Sequence, residues 1–159
     1  MLKKKIKIES RWDIVKLNDV CEIDWGNTKL TKSIFKAEGK YDVFSASGND
    51  GKTDFFEQEG NAIILSAIGA RCGKCFFAKN KWTAIKNTIV IKNRSNIILK
   101  YLFESINDEN YWQKSGVAQP FITLSTAREQ RIPLPPINIQ EKIINEIETL
   151  ELFEKDSRE

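Results

Sequence analysis

Residues 119–152 read QPFITLSTAREQRIPLPPINIQEKIINEIETLEL and contain the boundary between two kinds of structure. Pro133, Pro135 and Pro136 fix their own φ angles and favour extended conformations in the residues that precede them. Neither a helix nor a central strand can continue through them. The sequence therefore predicts a globular domain over residues 1–136 and a separate segment over residues 137–159.

A helix is predicted over residues 138–153, directly after the prolines. Asn138 is a candidate N-cap, and Glu141 three residues later completes a pattern like a capping box. The apolar residues recur at spacings of four, four and three, which places them on one helical face. They are Ile139, Ile143, Ile147 and Leu150. We expect this amphipathic helix to bind a helix of another protein.

The charges of the two segments differ in sign. Residues 1–140 hold 22 Lys and Arg against 15 Asp and Glu, whereas residues 141–159 hold 3 against 7. A basic body suits a polyanion such as nucleic acid, and an acidic helix would be repelled by one. We therefore expect the domain to bind nucleic acid and the helix to bind protein.

Composition limits the remaining possibilities. The 159 residues suffice for one domain with a real core. Histidine is absent, which excludes Ser-His-Asp and Cys-His catalysis and His-rich metal sites. No apolar run approaches the roughly 20 residues of a membrane span, and the basic N-terminus lacks the apolar core of a signal peptide. The expected location is the cytoplasm, with no membrane contact.

The periodicity of apolar residues predicts a mixed α/β fold. Strands are expected at residues 62–67, 75–78, 88–91 and 121–124, because these runs are short, apolar and partly β-branched. Helices are expected at residues 17–23 and 101–111. The predicted architecture is a recognition domain with a mostly β core and short flanking helices, followed by the C-terminal helix.

An interval without acidic residues is the strongest compositional indication of nucleic-acid binding. Residues 60–103 contain no Asp or Glu and eight Lys or Arg. Basic residues neutralise phosphates, and neighbouring aromatic or amide side chains stack on bases or contact base edges. The predicted contacts in this interval are Arg71, Lys74, Lys79, Lys81, Trp82, Lys86 and Asn87. A merely solvated basic face is the alternative.

The segment SASGNDGKT at residues 45–53 is predicted to be a loop or hairpin tip. Small polar loops can approach a phosphate backbone closely, which makes Lys52 and Thr53 further candidates for DNA contact. An ordinary solvent-exposed turn is the alternative.

Cys72 and Cys75 have the spacing of half a zinc site or of a redox pair. A zinc site needs about four ligands, and Cys21 is the only other cysteine. We therefore predict two small, partly buried cysteines and no metal or other cofactor. A small metal or redox domain remains as an alternative function.

Several segments occur in an order that resembles a known family. They are WDIVKLNDVC at residues 12–21, the Gly26 turn, YDVF at residues 41–44, the Gly69 to Gly73 turn, and the stretch from Gln119 through IPLPPINIQEKI. Together they resemble the target recognition domain of type I restriction–modification specificity subunits, over residues 12 to about 150. Gln119 belongs to this motif and is included among the predicted DNA contacts, with structural support of the junction as its alternative role.

The resemblance implies a non-catalytic subunit that reads half of a bipartite sequence in double-stranded DNA. In that family, methylation belongs to a modification subunit and cleavage to a restriction subunit, and both would be partners of this protein. Members commonly carry two recognition domains and two helical spacers, whereas this chain has one of each. We therefore expect either a half-subunit, which would form a homodimer through its terminal helix and bind an interrupted palindrome, or one cassette of a larger locus. A non-catalytic interaction or scaffold module, with a basic face for an acidic partner, is the alternative function.

Overall fold

The computed structural model describes Glu9 and residues 11–158, without the side chain of residue 158. The first eight residues of the predicted recognition domain therefore lie outside the described part. In chain order the elements are β1 (Asp13–Lys16), α1 (Leu17–Val20), β2 (Cys21–Trp25), β3 (Tyr41–Ser45), β4 (Gly48–Thr53), β5 (Gln58–Glu59), β6 (Ala62–Ser66), β7 (Cys75–Ala78), β8 (Lys81–Ala84), β9 (Thr88–Asn93), α2 (Leu99–Ile106), α3 (Leu124–Glu129), β10 (Arg131–Leu134) and α4 (Ile137–Arg158).

The central sheet has the strand order β2-β9-β6-β7, with every neighbouring pair antiparallel. Strand β6 is buried along its whole length because it is covered on both faces. Ile63 and Leu65 belong to the larger core cluster, which also includes Leu102 from α2. Ile64, on the opposite face, packs in a smaller cluster with Trp82 of β8. This double coverage explains why the strand reads as a continuous apolar run.

The second sheet has the order β4-β3-β8-β5. Strands β3 and β8 run parallel, and the two outer pairs are antiparallel. Phe44 and Trp82 pack edge to face in this sheet, with ring centroids 6.0 Å apart. The two four-stranded sheets and the short helices around them confirm the predicted mixed α/β class with a mostly β core.

Strands β1 and β10 form a separate two-stranded antiparallel ribbon. Pro133 lies opposite Ile14 in this ribbon. A two-stranded ribbon accommodates proline because its outer edge needs no hydrogen-bond donor. The prediction that no central strand passes through the prolines is therefore confirmed.

The helix predicted at residues 17–23 is wrong beyond Val20. Residues 21–25 form β2, in which Cys21 and Ile23 are buried while Glu22 and Asp24 are exposed. This alternation has the period of a strand, and the pairing with β9 provides its hydrogen bonds. The helix predicted at residues 101–111 is also shorter, because α2 ends at Ile106.

Of the loop or hairpin tip predicted at residues 45–53, the hairpin tip is confirmed, but most of the segment is strand. Only residues 46 and 47 form the turn, and β4 follows from Gly48 in register with β3. A Cβ atom on Gly51 would lie 2.6 Å from the ring of Phe35, so the small residues of this segment permit close packing against the strand. The strand predicted at residues 121–124 reduces to bridges of Phe121 with Ile68 and Ser115.

Helix α4 begins at Ile137, one residue earlier than predicted, and the Pro136 carbonyl accepts its first two bonds, from the N–H groups of Ile139 and Gln140. The proposed N-cap Asn138 therefore lies inside the first turn. Ile144 and Ile147 are only 9% and 2% exposed and pack with the domain itself. The prediction that Ile147 faces another protein is therefore wrong.

None of the helices in the described part of the chain has both the length and the apolar character that crossing a membrane demands.

Candidate nucleic-acid interface

Several loops meet at one end of the two sheets. The pairs Ser66 with Thr88 and Leu65 with Cys75 place the turn after β6 beside the turn before β9. In the second sheet, the tight turn between β3 and β4 and the end of β8 lie at this same end. Bridges join residue 27 to residue 85 and residue 68 to residue 121. We call residues 26–29, 46–47, 67–74, 85–87 and 115–121, with the adjoining Trp25, the loop end.

Backbone hydrogen bonds fix these loops to one another. Asn27 N–H donates to the Ala84 carbonyl at 2.8 Å, and Ala67 N–H donates to the Asn87 carbonyl at 3.0 Å. Asn87 has a φ of 69°, a left-handed conformation that asparagine adopts more readily than most residues. Gly69 N–H donates to the Pro120 carbonyl at 2.9 Å. These hydrogen bonds hold the loops of the loop end in a fixed arrangement relative to one another.

Five of the predicted DNA contacts lie in the loop end, where the fold brings them together although they are separated in sequence. They are Arg71, Lys74, Lys86, Asn87 and Gln119. Of these, Asn87 is half-buried and the other four are exposed.

The other five predicted contacts do not join them. Lys79 and Lys81 flank the turn at the opposite end of the sheets, where Ala62 pairs with Ala78. Thr53 ends β4 at that same opposite end and is buried, while the neighbouring Lys52 forms an ion pair with Asp42. The remaining residue is Trp82.

Trp82 was predicted to contact bases, and this prediction is wrong. Its side chain is fully buried, and its indole N–H donates to the Gly60 carbonyl at 2.8 Å. The contact predicted for Thr53 is wrong for the same reason, because a side chain that is 1% exposed cannot reach a nucleic acid.

Acidic side chains in and beside the loop end are mostly neutralised by cations of the chain itself. The Arg71 guanidinium lies 3.2 Å from Glu109, and the Lys32 ammonium lies 3.0 Å from Asp50. Lys29 and Lys86, by contrast, have no acidic partner among the described residues. Their charges remain available for phosphates.

Arg128 ties helix α3 to the edge of the central sheet. Its guanidinium donates to the Ile23 carbonyl at 2.8 Å and to the Asp24 carboxylate at 2.9 Å. Arg128 was not among the DNA contacts predicted from the sequence, and its hydrogen bonds indicate a structural role. It also neutralises Asp24, one residue before the loop end.

Two exposed aromatic residues of the loop end were missed from the sequence. Trp25 and Phe121 are 40% and 39% exposed. Exposed aromatic rings beside lysines can stack on nucleic-acid bases. Trp25 directly precedes the Gly26 turn, and a large aromatic residue beside a glycine turn was the available indication.

The junction after the prolines is organised by one buried polar side chain. Gln140 is fully buried, and its Oε1 accepts a bond from the Ile98 N–H at 2.8 Å. Its Nε2 donates to the carbonyls of Asn96 and Pro135 at 3.1 and 2.9 Å. Gln140 therefore joins the beginning of α4 to the loop before α2, which explains why glutamine suits this position of the junction motif.

Two tyrosine hydroxyls fix the strand that precedes α4. Tyr101 donates to the Pro133 carbonyl at 2.8 Å, and Tyr111 donates to the Arg131 carbonyl at 2.6 Å. Burial raises the pKa of Tyr101 to about 12 and also raises the pKa of Tyr111. Both hydroxyls are therefore held in their neutral form.

The three cysteines are all buried. Burial raises the pKa of Cys21 to about 12 and also raises the pKa of Cys72, which disfavours the reactive thiolate. The Cys75 thiol lies 3.8 Å from the carbonyls of Gly73 and Ile106. Within the described residues, no group of three or more His, Cys, Asp or Glu side chains could hold a metal ion.

Comparison with known proteins agrees with this architecture. Residues 9–158 match the family model of the type I restriction modification DNA specificity domain. A putative type I specificity subunit of Mycoplasma pneumoniae, S.MpnORF285P, is 24% identical over 139 residues, which are 83% of this chain and 45% of that protein. The chain thus spans less than half the length of this curated relative.

Solved structures share the fold. The S subunit of a type I restriction-modification system from M. genitalium aligns with a TM-score of 0.71 at 23% identity, over 95% of this chain and 41% of that one. A chain from a study of complex assembly and conformational transition of the type I R-M system aligns with a TM-score of 0.72 at 17% identity, over 93% and 40% of the two chains.

Proposed function

Because the chain belongs to the type I restriction modification DNA specificity domain family, we propose that it reads a DNA sequence on behalf of a type I restriction–modification complex. The observation that carries this proposal is the loop end, where exposed lysines that have no acidic partner in the described part of the chain lie among exposed aromatic rings. Lysines supply phosphate contacts, while rings and amide side chains supply base contacts.

The DNA-contacting set in this proposal differs from the one expected from sequence. It keeps Arg71, Lys74, Lys86, Asn87 and Gln119 and adds Trp25, Lys29 and Phe121. Lys52, Lys79 and Lys81 are left out because they lie away from the loop end, and Lys52 is also neutralised by Asp42. The protein would perform no chemistry itself, and methylation and cleavage would belong to the modification and restriction subunits. Such a protein would be located with the DNA, in the cytoplasm.

Helix α4 would serve as the spacer and assembly element of the proposed function. Its first half packs on the domain, whereas Leu152 and Phe153 near its end are 63% and 71% exposed. The partner-binding surface would then consist of the exposed Leu152 and Phe153, with a homodimer or a modification subunit as the partner. The predicted partner residue Leu150 lies on the opposite side of the helix from Leu152. The proposed division is a recognition domain over residues 1–136 and a spacer over residues 137–159 whose beginning is fixed by Gln140.

Selection from a randomised duplex library, by the full chain with and without a type I modification subunit, tests this function. We expect enrichment of one defined short sequence and affinity that falls as salt rises. Binding that is indifferent to sequence would instead support a scaffold with a basic face, and no duplex binding at all would refute the proposal.

A further inference from the structure

Glu57 is an exposed carboxylate beside the loop end whose position is fixed. The Asn27 side-chain amide donates to both of its carboxylate oxygens, at 3.1 Å and 3.0 Å. Its backbone N–H donates to the hydroxyl of the buried Thr83 at 3.1 Å. Asn27 is itself fixed, because its side-chain oxygen accepts a bond from the Lys29 N–H at 3.0 Å. The carboxylate is therefore held between the second sheet and the turn after β2.

The charge of Glu57 is not neutralised. Three acidic residues in and beside the loop end have cationic partners, as Asp24 has Arg128, Asp50 has Lys32 and Glu109 has Arg71. Glu57 has no cationic partner among the described residues, and within them its carboxylate bonds only to the neutral amide of Asn27. An exposed carboxylate at this place would oppose the approach of phosphates and would therefore weaken non-specific DNA binding.

We propose that Glu57 is a specificity-determining residue that accepts a hydrogen bond from the N4 amino group of a cytosine in the major groove. Asn27 is its positioning residue. This inference rests on the proposed function, because it requires the loop end to face DNA. A carboxylate only accepts hydrogen bonds, so it needs a base edge that donates one.

Cytosine is the base that fits this requirement. Guanine presents two acceptors in the major groove and thymine presents an acceptor and a methyl group, so both would repel a carboxylate or leave it without a donor. Adenine presents a donor beside the N7 acceptor, and that acceptor would lie close to the second carboxylate oxygen. Cytosine itself presents only the amino donor in that groove and no acceptor of its own.

The test compares the sequences selected by the full chain and by three variants from a randomised duplex library. Glu57→Ala removes the acceptor, Asn27→Ala removes its positioning, and Glu59→Ala is the matched control, an exposed glutamate paired in register with Lys81 at the opposite end. We expect the wild-type chain and the control to prefer cytosine at one position. Glu57→Ala should lose this preference, by on the order of tenfold in relative affinity, and Asn27→Ala should weaken it.

A second measurement identifies the group that is read. A duplex whose cytosine at that position is replaced by an analogue without the 4-amino group should bind wild-type protein about tenfold more weakly, and Glu57→Ala equally well. Urea unfolding of each variant shows whether its fold is intact.

The outcomes distinguish a failure of the proposed DNA-reading function from a failure of the role given to Glu57. If wild-type protein selects a sequence and Glu57→Ala selects the same one while binding every duplex more tightly, Glu57 is only a solvated carboxylate. A preference for adenine that depends on Glu57 would overturn the assignment to cytosine. If wild-type protein selects no sequence, the proposed function fails and this inference fails with it.

Discussion

The Oε1 atom of Gln140 accepts a hydrogen bond from the backbone N–H of Ile98 at 2.8 Å, across 42 residues of sequence. The same side chain donates to two carbonyls, so one buried amide satisfies three backbone groups. These bonds fix the beginning of helix α4 against the loop before α2. A spacer that transmits the geometry of a DNA-bound domain needs a fixed beginning of this kind.

Replacing Gln140 by Ala should destabilise the fold by about 3 kcal/mol, because it leaves an N–H group and two carbonyls without partners in a buried site. Urea unfolding should show a lower midpoint with an unchanged slope. Thr149→Ala, at an exposed position of the same helix, is the control and should change stability by less than about 0.5 kcal/mol. Equal stability of the two variants would contradict the role given to Gln140.

A buried and an exposed position of α4 should respond differently to the same substitution. Ile147→Asp places a charge in the core and should cost more than about 3 kcal/mol of folding stability. Leu152→Asp should leave the unfolding midpoint nearly unchanged, because the residue is 63% exposed. Sedimentation velocity, alone and with a modification subunit, should then show weaker assembly for Leu152→Asp. An unchanged assembly state would exclude Leu152 from the partner surface.

Alkaline pH should unfold the protein. Burial raises the pKa of Cys21 from 9.0 to about 12 and that of Tyr101 from 10.0 to about 12. Both groups hold their protons more tightly in the folded state, so their contribution is complete below pH 9 and is lost as pH rises toward 12. The free energy of unfolding, measured in urea from pH 8 to 11, should therefore fall with increasing steepness.

The Tyr101→Phe variant isolates the contribution of Tyr101 to the pH dependence of stability. The variant loses the hydrogen bond to Pro133, at a cost of about 1 kcal/mol at neutral pH, but it also loses one group that titrates. Its stability should decline less steeply than that of the wild-type protein above pH 10. Parallel curves for the two proteins would show that Tyr101 does not contribute to the alkaline transition.

The sequence was most informative where local pattern and tertiary environment agree. The apolar runs of β6, β7 and β9 predict strands correctly, and the prolines locate the beginning of α4 to within one residue. The secondary structure of residues 21–25 was harder to predict, because their apolar spacing fits one turn of helix as well as a strand. Pairing with β9, some 65 residues away, settles that segment as strand.

The candidate site was less predictable, because exposure depends on tertiary packing. Trp82 lies in a basic, acid-free interval, yet the second sheet packs over the central sheet and buries it. In the other direction, Asn27 and Glu57 are 30 residues apart and neither belongs to a recognisable motif, so their contact could not be expected. Lys74 and Lys86 could be predicted as exposed cations from residue type alone, because lysine side chains are exposed in most folds.

The claim that the loop end binds DNA is tested most directly by the salt dependence of duplex binding by two matched triple variants. One replaces Lys29, Lys74 and Lys86 of the loop end with Gln, and the other replaces Lys40, Lys79 and Lys81, which lie at the opposite end, with Gln. Fluorescence anisotropy against salt should show the log–log slope of the first variant reduced by about 2.7, since each phosphate contact contributes about 0.9. The slope of the second variant should match that of the wild-type protein. A reduced slope for the second variant with an unchanged slope for the first would contradict the assignment of the loop end to DNA.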